Sequence, residues 1–256
     1  MNDLNLDLDF NLKGKVAMIT GAGKGIGKTI ARLYAKKGAD IILVGRSKNI
    51  LETEKEVLKS GSKAISLVYD ITKPVNIKRL VSTGIKKFKK IDILVNNAGV
   101  VFLDKAENLS KDNWDHTISV NLTAPFLLSQ AVGREMIKRK YGKIINIASL
   151  AGILGFGQRS AYCSSKAGLI GLTRALAFEW AKYNININSI SPTVTMTEMG
   201  KRAWTGKAGS QMKKKIPLGR FLVPEDIASM AIFLGSDASS MITGANIIID
   251  GGFSIN

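Results

Sequence analysis

Tyr162 and Lys166 stand four positions apart. On a helix that spacing puts both side chains on one face. A free tyrosine titrates near ~10, too high to exchange protons readily at neutral pH. An ammonium close by stabilises the phenolate and lowers that pKa, and general acid–base catalysis works best with a pKa near the working pH. The pair therefore suits proton transfer to a carbonyl oxygen being reduced, or from an alcohol being oxidised. Ser149 lies thirteen positions earlier, closing the apolar run 143–147. Ligands of parallel sheets gather at such strand ends, and its hydroxyl can hold the reacting oxygen.

A second constellation is Thr20-Gly21-Ala22-Gly23-Lys24-Gly25-Ile26-Gly27. It directly follows one apolar run and opens a helical stretch. Glycines at 21, 25 and 27 allow a tight turn, let a pyrophosphate approach the backbone, and let helix pack closely on sheet. The helix amino end then presents free N–H groups and a positive dipole to the phosphates. A glycine triplet alone is a weak signal, but its place between strand and helix points to a dinucleotide.

Both constellations need a scaffold. Short β-branched runs at 16–20, 40–44, 63–69, 91–95, 143–147, 184–190 and 245–249 alternate with helical patterns, among them 25–37 and 166–182. Continuous apolar strands with helical crossovers predict a parallel sheet of about seven strands with helices on both faces, a doubly wound α/β fold of Rossmann type. No Pro/Gly/Ser-rich linker interrupts the rhythm, so residues 13–256 read as one domain and 1–12 as a short extension. Residues 193–215 are polar, glycine-containing and weakly periodic, which suggests a long irregular binding loop. Pro224 is placed to open the helix that follows.

The spacing G-x-x-x-G-x-G, with the preceding threonine, resembles the fingerprint of the short-chain dehydrogenase/reductase family. Further matches follow in order: Asp70 after the third strand, Asn96-Asn97-Ala98-Gly99 after the fourth, Asn121, Ser149, Tyr162-x-x-x-Lys166, and Ser191-Pro192 after the sixth. The resemblance runs over roughly residues 13–253. It implies a catalytic group of Asn121, Ser149, Tyr162 and Lys166, with Ser149 and Tyr162 also touching substrate. The Asn121 backbone carbonyl would help hold a water linked to Lys166, and Lys166 would also hold the nicotinamide ribose. It implies nucleotide contacts from Gly21, Gly23, Lys24, Gly25, Ile26, Gly27, Arg46, Ser47, Asp70, Ile71, Asn97, Ala98, Gly99, Tyr162, Lys166, Pro192, Thr193, Thr195 and Thr197. It also implies a homotetramer built by pairing long helices and the last strand.

An NAD enzyme usually carries an acid at the end of the second strand, for the adenosine ribose hydroxyl. Here the strand ends Val44-Gly45-Arg46-Ser47, and Lys24 sits inside the glycine turn. A guanidinium can grip a 2′-phosphate in a bidentate way, and a nearby ammonium adds point charge. The expected cofactor is NADP(H). The stretch Ser191–Gly200, then Trp204, then Ile216–Phe221 resembles the carbonyl/L-xylulose reductase and polyol dehydrogenase branch. That implies a ketose–polyol or vicinal diol substrate; a 3-oxoacyl carrier-protein reductase is the alternative.

Composition bounds the remaining classes. The formal charge is +17. It is the only support for a cofactor-sensing or nucleic-acid-binding protein on the same fold. The basic runs at 86–90, 138–140 and 213–215 are scattered over helix ends and loops, which reads as a solvated surface. One cysteine, Cys163, and one histidine, His116, leave no disulfide and no metal cluster. Cys163 reads as a packed thiol, His116 as a surface residue ahead of a helix, and Trp114 and Trp180 as core or interface. With no apolar run long enough to span a bilayer and no signal-peptide pattern, the expectation is a cytoplasmic protein that binds neither membrane nor nucleic acid.

Overall fold

The computed structural model describes residues 9–255. The chain runs β1 (Val16–Thr20), α1 (Gly25–Lys36), β2 (Asp40–Gly45), α2 (Ile50–Leu58), β3 (Ala64–Val68), α3 (Pro74–Phe88), β4 (Ile93–Asn96), α4 (Lys111–Ile118), α5 (Ala124–Arg139), β5 (Gly142–Ile147), α6 (Ser160–Trp180), β6 (Ile185–Pro192), α7 (Glu198–Ala203), α8 (Gly206–Lys214), α9 (Pro224–Gly235) and β7 (Asn246–Ile249). The strands form one parallel sheet in the order β3-β2-β1-β4-β5-β6-β7.

Successive strand side chains point to opposite faces, and here both faces are buried. In β1, Ala17 and Ile19 face one core while Val16 and Met18 face the other. In β2, Ile41 and Leu43 oppose Ile42 and Val44 in the same way. The first core is closed by α1, α2 and α9 through Ile30, Tyr34, Ile50, Val57, Ile227 and Ala231. The second is closed by α3, α5 and α6 through Leu80, Leu128, Val132 and Leu176. This two-sided burial is why the strands read as unbroken apolar runs.

Several boundaries differ from the sequence expectation. The helix expected from 166 starts at Ser160, so Tyr162 and Lys166 share one helix as their spacing requires. Residues 193–215 are not irregular: they carry α7 and α8. Thr197 caps α7 by accepting from the Gly200 N–H at 3.3 Å. Met212, Ile216 and Phe221 form a small satellite core with Val194, Met196, Trp204 and Phe253. So few apolar anchors among many lysines hid the helical period. His116 lies inside α4 rather than ahead of it, its ring 5.9 Å from that of Phe102.

Of residues 1–12, the first eight lie outside the described residues. Leu12 is fully buried in the first core. Its N–H donates to the Lys37 carbonyl at 2.8 Å, and Phe10 sets its ring edge-on to Phe233 at 5.4 Å. Trp180 packs against the second core, and Trp114 is partly exposed.

Candidate active site

From β1 the chain proceeds to β2 and β3 on one side, then returns to place β4 on the other. The carboxyl ends of β1 and β4 therefore flank the point where strand order reverses, and such a crevice is where open α/β sheets bind ligands. The glycine turn leaves β1 there. Gly21 and Gly25 have φ of +65° and +54°, a region open to glycine and strained for other residues. A Cβ on Gly27 would collide with the Asn97 amide and come within 2.5 Å of the Gly21 carbonyl oxygen.

The turn is tied to the loop after β4. The Thr20 hydroxyl accepts from the N–H groups of Asn97 and Ala98, both at 3.0 Å. The Asn97 side-chain amide donates back to the Thr20 carbonyl at 2.8 Å and to that of Gly21 at 3.3 Å. The amino end of α1 has no side-chain cap and no acidic residue in its first turn. A side-chain-free cradle against an uncapped helix amino end suits a pyrophosphate. The loop after β6 reaches the same turn: a Cβ on Gly25 would meet Thr197 Cγ2 at 3.0 Å. That loop is anchored by the Thr193 N–H donating to the Ile249 carbonyl at 3.1 Å, and by the Met196 N–H donating to the Leu222 carbonyl at 2.7 Å.

At the end of β2, Arg46 and Ser47 are exposed, as is Lys24 on the facing turn. The Ser47 hydroxyl donates to the Asn49 side chain at 2.7 Å. Asp70, after β3, is the nearby acid. Burial raises its pKa, but hydrogen bonds from the Thr72 N–H (2.9 Å) and hydroxyl (2.8 Å), with the Arg46 charge, outweigh this and hold the carboxyl below its ordinary value. Asp70 is thus an ionised acceptor at neutral pH. Ile71 beside it is buried in the second core, and Ile26 packs against the first.

The third group gathers at the end of β5. Lys166 is buried, and its Nζ donates to the Ile147 carbonyl at 2.7 Å and lies 5.7 Å from the Tyr162 ring centre. Gly99 presses against this point: a Cβ there would stand 3.4 Å from Asn121 Oδ1 and 3.7 Å from Lys166 Nζ. Ser149 is extended, its hydroxyl accepts from the Ala151 N–H at 3.1 Å, and it lies near enough to the Tyr162 hydroxyl to favour the phenolate. Asn121 sits in a π-helical turn, Ser119–Thr123, between α4 and α5, a distortion that often marks functional sites. Its buried side chain accepts from the Val100 N–H and donates to the Val100 carbonyl, each at 2.9 Å, and donates to the Ser165 hydroxyl at 3.1 Å.

Electrostatics refine the expectation drawn from spacing. Burial pushes the Tyr162 pKa up; the hydrogen bond from Ser149 and the charge of Arg159 oppose this without overcoming it. Burial also pulls the Lys166 pKa down, to about 8. Lys166 spends one donor on a carbonyl, and its own charge is destabilised, so the lysine alone does not bring the phenol toward neutral pH. A further positive charge beside the hydroxyl would lower its pKa.

The structure thus brings Asn121, Ser149, Tyr162 and Lys166 together beside the glycine turn and the Asn97–Gly99 loop. Cys163 is half-buried on the same helix. Sequence reading did not assign Thr20, Val100, Ser165 or Arg159. Arg159 was detectable only as a basic residue three positions before Tyr162, just ahead of the helix that carries it. The ties through Thr20 and Val100 use backbone groups distant in sequence, which no local pattern marks. Among the described residues no group of His, Cys, Asp and Glu is placed to hold a metal, and no helix is long and apolar enough to cross a membrane.

Comparison with known proteins bears on this arrangement. The family model described as enoyl-(acyl carrier protein) reductase matches residues 21–254. The chain is 49% identical over 249 residues to the NAD-dependent glycerol dehydrogenase of Listeria innocua, covering 97% of each protein. It is 44% identical over 254 residues to the D-threitol dehydrogenase of Mycolicibacterium smegmatis, covering 99% of this chain and 98% of that one. The crystal structure of NAD+-bound xylitol dehydrogenase matches with a TM-score of 0.90 at 32% identity, over 94% of this chain and 99% of the other. With the seven-stranded parallel sheet and the ordered motifs from Thr20 to Lys166, these likenesses establish that the chain belongs to the short-chain dehydrogenase/reductase family.

Proposed function

We propose that the protein is an NADP(H)-dependent oxidoreductase acting on a small carbonyl or alcohol, a ketose–polyol or vicinal diol pair. The observation that carries this reading is the convergence of Ser149, Tyr162 and Lys166 at the end of β5, beside a cradle shaped for a pyrophosphate. The polyol substrates named for the two similar dehydrogenases support the substrate class.

In this reading the cradle of Gly21, Gly23, Gly25, Ile26 and Gly27 holds the pyrophosphate. Asp70 and Ile71 border the adenine side. Asn97, Ala98 and Gly99, with Pro192, Thr193, Thr195 and Thr197, flank the nicotinamide half. When bound, the nicotinamide supplies or accepts the hydride, and its oxidised form supplies the positive charge that Tyr162 needs. Ser149 holds the substrate oxygen. In reduction, Tyr162 would pass its phenolic proton to the carbonyl oxygen that Ser149 holds. In oxidation, the phenolate takes the alcohol proton back. Lys166 offers its remaining donors to the nicotinamide ribose, and the Asn121 carbonyl steadies a water that refills the proton.

The cofactor preference rests on charge. The end of β2 offers Arg46 and Ser47 where an acid would hold an adenosine ribose hydroxyl, and Lys24 stands opposite. An acid there would repel a 2′-phosphate; a guanidinium and an ammonium attract it. Arg46→Ala should cut the preference for NADPH over NADH by about 10-fold or more, the worth of one charge-assisted contact. An unchanged ratio of kcat/KM values would remove this assignment.

The substrate reading is tested with xylulose, ribulose, diacetyl and an acetoacetyl thioester, each with NADPH and with NADH. Reduction of a sugar or the diketone, with NADPH favoured, is the expected result. Reduction of the thioester alone would replace it with 3-oxoacyl carrier-protein reduction, the activity named for a 40% identical relative from Thermotoga maritima. The assembly proposed is a homotetramer, supported by the exposed apolar residues Phe178 on α6 and Ile248 on β7.

A further inference from the structure

Arg159 is the residue at this site that the reading above leaves without a task. It occupies the N-cap position of α6, three residues before Tyr162. Its side chain is half-buried, and its charge reaches the Tyr162 hydroxyl and favours the phenolate. A guanidinium has five N–H donors. Here one of them meets the Gly157 carbonyl, at a long 3.3 Å. None of the ion pairs among the described residues includes Arg159.

Its support is built rather than incidental. The guanidinium lies 5.9 Å over the Phe156 ring, and Phe156 stacks on Phe253 at 6.4 Å with the planes 17° apart. Phe253 in turn packs against Met212, Ile216 and Phe221, the satellite core under α7 and α8. The platform of Arg159 therefore joins the α6 wall of the site to the segment between β6 and α9. That segment is itself charged. Residues 193–222 contain seven Lys and Arg against the single acid Glu198. A half-buried guanidinium with free donors, three residues before Tyr162 and beside a cationic segment, is suited to receive an anion.

We infer that Arg159 is a specificity-determining residue that grips an anionic group, carboxylate or phosphate, carried on the polyol chain near the reacting carbon. The favoured substrates are then sugar acids or polyol phosphates, not neutral polyols. This rests on the proposed polyol oxidoreductase reading and sharpens its substrate class.

The experiment measures kcat/KM with NADP+ for threonate, threitol phosphate and threitol, and for gluconate, glucitol 6-phosphate and glucitol. An anionic member of a series should exceed its neutral counterpart by about 10- to 100-fold, the range of a hydrogen bond to a charged group. The advantage should shrink with added salt and reside mainly in KM. Comparing the acid with the phosphate ester identifies which anion is meant. Arg159→Gln should bring the ratio toward one, and Arg159→Lys should restore part of it. Equal or better turnover of the neutral polyols by the unaltered enzyme would overturn the inference and leave the polyol reading standing. A preference that survives in Arg159→Gln would overturn the role of Arg159. No turnover in either series would take the polyol reading down with the inference.

Discussion

Tyr162 is held by opposing influences, and burial is the largest. Its phenol is therefore neutral until a positive charge arrives, which suits a residue that must first donate a proton in reduction. Tyr162→Phe removes that proton and keeps the ring. The turnover rate should fall by about 10²- to 10⁴-fold, the usual contribution of general acid–base catalysis, while nucleotide binding read by tryptophan fluorescence persists. Two buried lysines carry a second residue-scale prediction. Burial lowers the pKa of Lys166, and that of Lys143 with the Lys15 charge assisting, to about 8 each. Lysines in the unfolded chain titrate near ~10.4. Between pH 8 and about 10 the unfolded chain thus keeps protons that the folded chain has released. Each lysine then adds stability as pH rises, by up to ~1.4 kcal/mol per unit. Lys143→Met should reduce that slope by the contribution of one lysine, measured by urea unfolding at pH 7.5, 8.5 and 9.5 without nucleotide. An unchanged slope would show that Lys143 is not the titrating group.

Elements meet at the site through contacts that leave no spare volume. The β1–α1 turn is locked to the loop after β4 by the four hydrogen bonds linking Thr20 and Gly21 to Asn97 and Ala98, and Gly27 fills the space beneath them. Gly27→Ala should push α1 away from the Asn97 amide. Overpacking of this kind costs about 1–3 kcal/mol, and here it also distorts the phosphate cradle. Thermal unfolding should show a lowered midpoint, and nucleotide affinity should weaken with it. An alanine variant of wild-type stability and affinity would mean that the turn is not constrained as described.

For the whole molecule, surface composition bears on assembly. Phe178 is 90% exposed and Met241 94% exposed. Large apolar side chains in such positions often mark interfaces. Phe178 lies on α6, the helix that also carries the buried Lys166. A tetramer built on Phe178 would cover the exposed side of the helix that holds the proposed catalytic pair. Phe178→Asp should lower the mass measured by light scattering from that of four chains to that of two or one. A mass unaffected by the substitution would place the interface elsewhere. The +17 charge makes the effect salt-sensitive, because repulsion between like-charged protomers is screened at high ionic strength.

The order of motifs along the chain was enough to indicate the family and the doubly wound sheet, and it named the residues that the fold gathers at the candidate site. Each of these depends on local requirements: glycine where φ is positive, apolar runs where strands are buried twice, Tyr and Lys one helical turn apart. Residues 193–215 were illegible, because α7 and α8 are stabilised by a few apolar anchors that find partners only in Ile216, Phe221 and Phe253. Likewise, spacing placed Lys166 beside Tyr162 but could not weigh the burial that moves both pKa values the unhelpful way. Nor could it show that Arg159 stands on a ring stack completed from the far end of the chain. Desolvation and long-range packing depend on what surrounds a group in three dimensions, so only the tertiary structure decided them.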